Sequence, residues 1–179
     1  GAVQESGSYA TSYIPTQGQS GGVTRVADVC NNGGNEQVIN STEGVLYLEG
    51  NVFEGSDDVF SISLSDRSNT NRIFITLRSP ESDYRAYSTG GGDLTFQGLD
   101  VTNISKVAVR YSLNNFSLWV NGLKRGETLS YAGIPSDTLN SLSFDRNGIG
   151  ELDFRGNIKD VKLYNTALTD QELINLTTI

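Results

Sequence analysis

Histidine and methionine are absent from this chain, cysteine occurs once and proline three times. Without histidine the chain lacks the commonest general base and the commonest zinc ligand. With Cys30 alone no intrachain disulfide can form, so a packed core has to hold the fold, and Cys30 itself reads as a small buried apolar side chain. No apolar run approaches the roughly 20 residues of a membrane-spanning helix. Cations are also scarce: 13 Lys and Arg against 21 Asp and Glu leave a net charge of −8 and a pI near 4.5. Such a field disfavours nucleic acid and anionic membrane surfaces. It does not exclude an anionic polysaccharide, because a local arginine cluster can override the net charge. The start at Gly1 and Ala2 with no methionine is expected of a piece of a longer protein.

Against those absences stand 20 glycines, many Asn, Ser and Thr, and a hydrophobic fraction of 36%. That balance suits short strands joined by polar turns, and 179 residues are enough for one β-sandwich with a substantial core. Apolar residues recur with period two. Leu46 and Leu48 alternate with Val45, Tyr47 and Glu49; Phe60, Ile62 and Leu64 alternate with serines. Ile73, Ile75 and Leu77 alternate with Arg72, Phe74, Thr76 and Arg78. Val107, Val109 and Tyr111 alternate with Ala108 and Arg110; Phe116, Leu118 and Val120 alternate with Ser117, Trp119 and Asn121; Leu142 and Phe144 close the set. Each run predicts a strand with one face in the core and the other in water. Gly55 to Asp58, Ser65 to Asn71, Gly90 to Asp93, Asn114-Asn115 and Asn147-Gly148 are turn signals. Asn121-Gly122 is the pair preferred in type I′ hairpin turns.

The end of the chain changes period. After the alternating stretch from Phe154 to Tyr164, Thr169 and Glu172 form a capping box, and Leu168 and Leu173 stand where a hydrophobic staple needs them. A short helix starting at Thr169 or Asp170 is expected to cover an end or edge of a sheet, guarding it against pairing. This ending resembles the closing strand and helix of laminin-G-like, concanavalin A-like jelly rolls. The resemblance runs from Pro15 to Thr178 and rests on Gly44, the Asn121-Gly122 turn and the closing strand and helix. It implies an all-β, two-sheet antiparallel sandwich with one C-terminal helix, of a fold mostly used to bind sugars. Residues 1–14 read as a linker or the end of an upstream domain, and residues 15–179 as the jelly roll. The segments Thr11 to Thr16 and Val23 to Cys30 are similar to junctions between tandem modules of phage tail and adhesin-like proteins and of secreted marine bacterial proteins.

Catalytic patterns are thin. Glu151 and Asp153 resemble part of the carboxylate motif of laminarinase-type glucanases, where retaining hydrolysis needs two carboxylates about 5 Å apart on one strand. Arg155 and Gly156 follow, so the acid/base carboxylate is missing. A lyase could use a Tyr base with Arg neutralisers, for which Tyr84, Arg85 and Tyr87 supply the residue types. Trp119 is the single tryptophan, and alternation places it away from the core on the same face as Arg110. Two readings of that face stand side by side. In one, the indole is an exposed platform for a sugar ring, with polar groups around it; in the other, it packs under the terminal helix or a neighbouring domain. Arg78, Tyr84, Arg85, Tyr87, Asp145 and Arg146 are further candidates on strands and loops. The resemblance also implies a structural calcium near Asp160, with Asp28, Asp57 and Asp58 as helpers; no other cofactor is expected.

The sequence is read as a non-catalytic carbohydrate-binding module of a larger extracellular or phage tail protein. Its expected partner is a cell-surface or marine polysaccharide, bound by Trp119, Arg110, Arg78, Tyr84, Tyr87 and Arg146, with tandem or oligomeric copies raising avidity. A structural or protein-interaction domain is the alternative, and a polysaccharide hydrolase or lyase the second.

Overall fold

A computed structural model describes residues 34–35, 37–53, 58–79, 82–150 and 152–179, the side chain of Asp58 excepted. The boundary expected near Pro15, together with Asp28, Cys30, Asp57 and Glu151, lies outside the described residues.

Among the described residues ten strands precede one helix. The strands are β1 (Gly44–Val52), β2 (Asp58–Ser65), β3 (Arg72–Ser79), β4 (Asp83–Ser88) and β5 (Gly92–Gln97), followed by β6 (Ser105–Ser112), β7 (Asn115–Val120), β8 (Leu123–Thr128), β9 (Ser141–Ser143) and β10 (Gly156–Tyr164). The helix α1 is Asp170–Thr177. They form two five-stranded antiparallel sheets, one ordered β10-β1-β6-β7-β8 and the other β5-β4-β3-β2-β9.

Period-two alternation builds the core between the sheets. Leu46 and Leu48, Ile62 and Leu64, Ile73, Ile75 and Leu77, Val107 and Val109, and Phe116, Leu118 and Val120 are all buried in one cluster. Each such side chain contributes about 1.5–3 kcal/mol through the apolar surface it removes from water. The hairpin between β7 and β8 turns on Asn121 and Gly122, both at positive φ (51° and 78°), as a type I′ turn requires.

The closing segment follows its capping chemistry. The Thr169 hydroxyl accepts from the Glu172 backbone N–H, and Glu172 accepts in return from the Thr169 N–H at 2.8 Å. Gly156, at the start of β10, lies so close to β1 that a Cβ there would sit 2.0 Å from the Asn51 carbonyl oxygen. Its place in the closing motif is therefore one of close backbone approach.

Several expectations are corrected. Val45 and Tyr47, assigned to a wet face of β1, are buried in a second apolar cluster with Ala108, Trp119 and Leu173. The helix lies over β6, β7 and β8; it seals a sheet face instead of guarding an end or edge. Phe144 does not extend the strand of Leu142: β9 stops at Ser143 and Phe144 is exposed. Three strands, β4, β5 and β8, had no apolar run to announce them.

Candidate functional site

The two outer faces of the sandwich differ. On the sheet containing β7, Leu173 is fully buried against Val45, Tyr47, Ala108 and Trp119, with Leu168, Ile174 and Leu176 packed around it. Trp119 is 2% exposed. Its indole N–H donates to Ser117 Oγ at 3.0 Å, and the Lys124 ammonium sits 5.2 Å from its ring centroid. Arg110 bolts the helix down, donating to the Leu168 carbonyl (3.1 Å), Asp170 (2.7 Å), Asn115 (3.1 Å) and Glu127 (3.3 Å). Lys124 joins the same network through Asp170 at 2.8 Å and Glu127 at 3.1 Å. Trp119 and Arg110 do share a face, as alternation requires, but that face is closed. The exposed sugar platform expected there is corrected: the indole is core to the helix–sheet interface.

Tyr84 is corrected for a different reason. It points into the main core with no exposed surface, its hydroxyl paired with Ser105 Oγ at 2.7 Å. Burial pushes its phenol up from the ordinary value, so it stays protonated and out of reach of a substrate as either contact or base.

The outer face of the other sheet carries no helix among the described residues. Register places Ser63, Phe74, Tyr87 and Asp93 in one row across β2 to β5, and Ser61, Thr76, Arg85 and Thr95 in the next. The Phe74 and Tyr87 rings stack with centroids 4.9 Å apart and planes 21° apart. Three guanidinium groups flank this pair. Arg72 lies 5.4 Å from the Phe74 centroid and 5.7 Å from that of Tyr87, Arg85 lies 5.4 Å from Tyr87, and Arg146 lies 5.1 Å from Phe74. Such contacts hold a cation by the negative face of the ring.

Arg146 reaches the face from the segment after β9. There the buried Asp145 carboxylate accepts backbone N–H groups from Asn147 (3.0 Å), Gly148 and Gly150 (2.7 Å). Ser65 Oγ donates to the Asn147 carbonyl at 3.0 Å, tying that loop back to β2. Arg78 donates from Nε to Asp83 at 2.8 Å and from Nη2 to its other oxygen. Arg85 makes a two-point pair with Asp93, both contacts at 2.8 Å. The Arg85 guanidinium holds the Asp93 carboxyl below the usual carboxylate range.

Arg78, Arg85 and Arg146 line one shallow cleft of about 70 Å³ with Val59, Thr76 and Leu152. Sequence reasoning thus supplied Arg78, Arg85 and Arg146, with Tyr87 beside them, and missed Phe74, Arg72 and Thr76. The signal for these three was present: Phe74 stands among Arg72, Thr76 and Arg78 on the face of β3 that alternation turns away from the core. A larger open cleft of about 410 Å³ lies at Asn35, Gln37, Asp66, Arg67 and Asn140. Among the described residues its lining is polar and offers no ring for stacking, so the aromatic face is the better candidate for a sugar.

The remaining expected sites centre on Asp153 and Asp160. Asp153 precedes β10 and stands on no strand, so alternation cannot aim it into a groove as in a glucanase. Asp160 pairs with Lys162 at 2.6 Å, and its cross-strand neighbour Glu49 pairs with Lys159 at 2.6 Å. Among the described residues no group of three or more His, Cys, Asp or Glu is placed to hold a metal. No helix among the described residues is long and apolar enough to cross a membrane.

Comparisons with known proteins agree with this architecture. Domain 4 of AbnA, a GH43 extracellular arabinanase from Geobacillus stearothermophilus, in complex with arabinotriose, superposes with a TM-score of 0.62 at 11% identity, covering 81% of this chain and 70% of that one. CBM40 of the Ruminococcus gnavus IT-sialidase, bound to α2,3-sialyllactose, gives 0.58 at 16% identity, with 76% and 83% covered. A leech intramolecular trans-sialidase gives 0.57 at 17% identity; the match covers 78% of this chain but 24% of the leech chain. At these identities the likeness shows the fold. No curated protein sequence matches the chain. The Laminin_G_3 family model, described as the concanavalin A-like lectin/glucanases superfamily, matches residues 46–174. By that match, which spans both sheets and most of the helix, the chain belongs to the concanavalin A-like lectin/glucanase superfamily.

Proposed function

We propose that the domain is a non-catalytic carbohydrate-binding module within a larger extracellular protein, of the phage tail or adhesin kind. The sugar lies on the outer face of β2 to β5, against Tyr87 and the arginines around it. One observation carries this reading: Tyr87, half-buried on the outer face of β4, stacks on the buried Phe74 and is flanked by the guanidinium groups of Arg72 and Arg85. A ring edge beside fixed donors suits a pyranose, whose apolar face stacks while its hydroxyls bond. Similar folds bind arabinotriose and sialyllactose, which supports a glycan as partner. The non-catalytic assignment rests on the absence of histidine from the chain and on the burial of Tyr84.

The test is a glycan array probed with the full chain and with its Tyr87→Ala variant. Binding that falls at least tenfold in the variant supports the site, and an array with no hits leaves a spacer or protein-interaction domain as the better reading. A reducing-end and unsaturated-product assay on any bound polysaccharide checks for turnover, with none expected.

A further inference from the structure

We infer that β5 is a docking edge for a second copy of this chain, pairing antiparallel with its own counterpart across a two-fold axis at Thr95. The inference goes beyond the carbohydrate-binding reading and does not depend on it. A strand at the margin of a sheet presents a row of unpaired backbone N–H and C=O groups. Natural sheets blunt such margins with bulges, lysines, proline or very short strands. Among the described residues the margins of the two sheets are β10, β8, β5 and β9. β10 is broken by a bulge at Lys159 and also carries Lys162. β8 is broken by a bulge at Arg125, next to Lys124. β9 is three residues long. β5 has none of these devices. Gly92 to Gln97 pair with β4 in unbroken register, from Ser88↔Gly92 to Asp83↔Gln97, with no proline, lysine or arginine among them.

The side chains of β5 suit its own copy. Asp93, Thr95 and Gln97 are exposed on the outer face, while Leu94 and Phe96 are half-buried and pack against the core. An antiparallel two-fold through Thr95 sets Thr95 opposite Thr95 of the second copy, Asp93 opposite Gln97, and Leu94 opposite Phe96. Hydroxyl then meets hydroxyl, carboxylate meets amide and apolar meets apolar, which are cross-strand pairs that stabilise a sheet. Asp93 is the strand's single charge, and this register keeps its two copies apart. Arg85 continues to hold it from β4. The added strand also covers the half-exposed flanks of Leu94 and Phe96.

An isologous contact of this kind closes at two copies and does not propagate. It joins the two β5-containing sheets into one continuous sheet, with Tyr87 of each copy on the same outer face. Two weak sites carried on one rigid surface gain avidity without any new contact to the ligand.

The experiment is sedimentation equilibrium of the full chain from micromolar to millimolar concentration. The expected result is a reversible monomer–dimer equilibrium with no larger species. Thr95→Lys and Thr95→Glu each set like charges directly opposite one another in the pair, and each alone should weaken dimerisation at least tenfold. An equimolar mixture of the two should recover an affinity close to that of the unchanged chain, a rescue that a fault in the fold of either variant would not give. Thr95 is exposed, so both variants should keep the thermal midpoint. Should either misfold, hydrogen exchange of the unchanged chain decides: the β5 amides should gain protection as concentration rises, and those of β8, β9 and β10 should not. A chain that stays monomeric throughout, growth into larger species, a dimer that tolerates both substitutions, a mixture no tighter than either variant alone, or protection at another margin overturns the inference. Each of those outcomes leaves the carbohydrate-binding reading untouched.

Discussion

Trp119 and Phe74 occupy equivalent positions in sequence terms: each is an aromatic on the non-core side of an alternating strand. What differs is the element beyond the strand. Trp119 meets Leu173 and the helix, whereas Phe74 meets Tyr87 and arginine side chains. Truncating Trp119 therefore opens a cavity at a packed interface. Trp119→Ala is expected to cost about 3–5 kcal/mol of stability, measured as a lower urea midpoint at constant slope, while glycan binding below the transition stays within twofold of wild type. Loss of binding with unchanged stability would return the sugar site to that face. At Gly156 the effect has the opposite cause. A methyl group there collides with the Asn51 backbone, so Gly156→Ala should destabilise by roughly 1–3 kcal/mol through overpacking, read from the same unfolding curves.

At the level of single elements, α1 is the one whose stability can be tuned from outside. Its cap is a reciprocal pair of hydrogen bonds, and Thr169→Ala should cost about 1 kcal/mol. The helix is also fastened by charge. Hydrogen bonding from Lys124, and then from Arg110, holds the Asp170 carboxyl below its ordinary value of 3.8. A carboxylate lowered in the folded state adds stability that is complete above the unfolded value. That stability is lost as pH falls through the lowered value. The Thr169 hydroxyl and backbone lower Glu172 likewise. Docking of α1 should accordingly weaken as pH falls below about 3.8, and Trp119, the single tryptophan, reports it as a red shift in emission. Asp170→Asn is expected to weaken docking at neutral pH and to flatten that acid dependence.

The strands missed in the sequence follow the same physics. β5 and β8 are edge strands with largely exposed or half-buried residues, and β4 alternates Tyr84 and Ala86 with Asp83, Arg85 and Tyr87. None forms the apolar run by which a strand is recognised, because β5 and β8 lie at sheet edges and β4 interleaves its two core residues with Asp83, Arg85 and Tyr87.

At the scale of the described domain, the two inner faces cover each other and α1 covers the outer face of the β7 sheet, while on the remaining outer face Ser61, Ser63, Phe74 and Thr76 are also buried. Removing residues 168–179 should uncover Val45, Tyr47, Ala108 and Trp119 together. Strong binding of a hydrophobic dye and loss of a cooperative melt are the expected results; a native-like melt would show that the helix is dispensable. Sidedness along each strand, the type I′ turn at Asn121-Gly122 and the capping box of α1 were determined by sequence alone, because each depends on contacts a few residues apart. What covers each outer face was decided only in the tertiary structure. Arg110 and Asp170 meet across 60 residues of chain, and Arg146 reaches Phe74 from the loop after β9. A period of two says which residues share a face. What lies over that face depends on chain that local patterning does not see, and here it turned the single tryptophan into core and buried Phe74 beneath Tyr87 and arginine side chains.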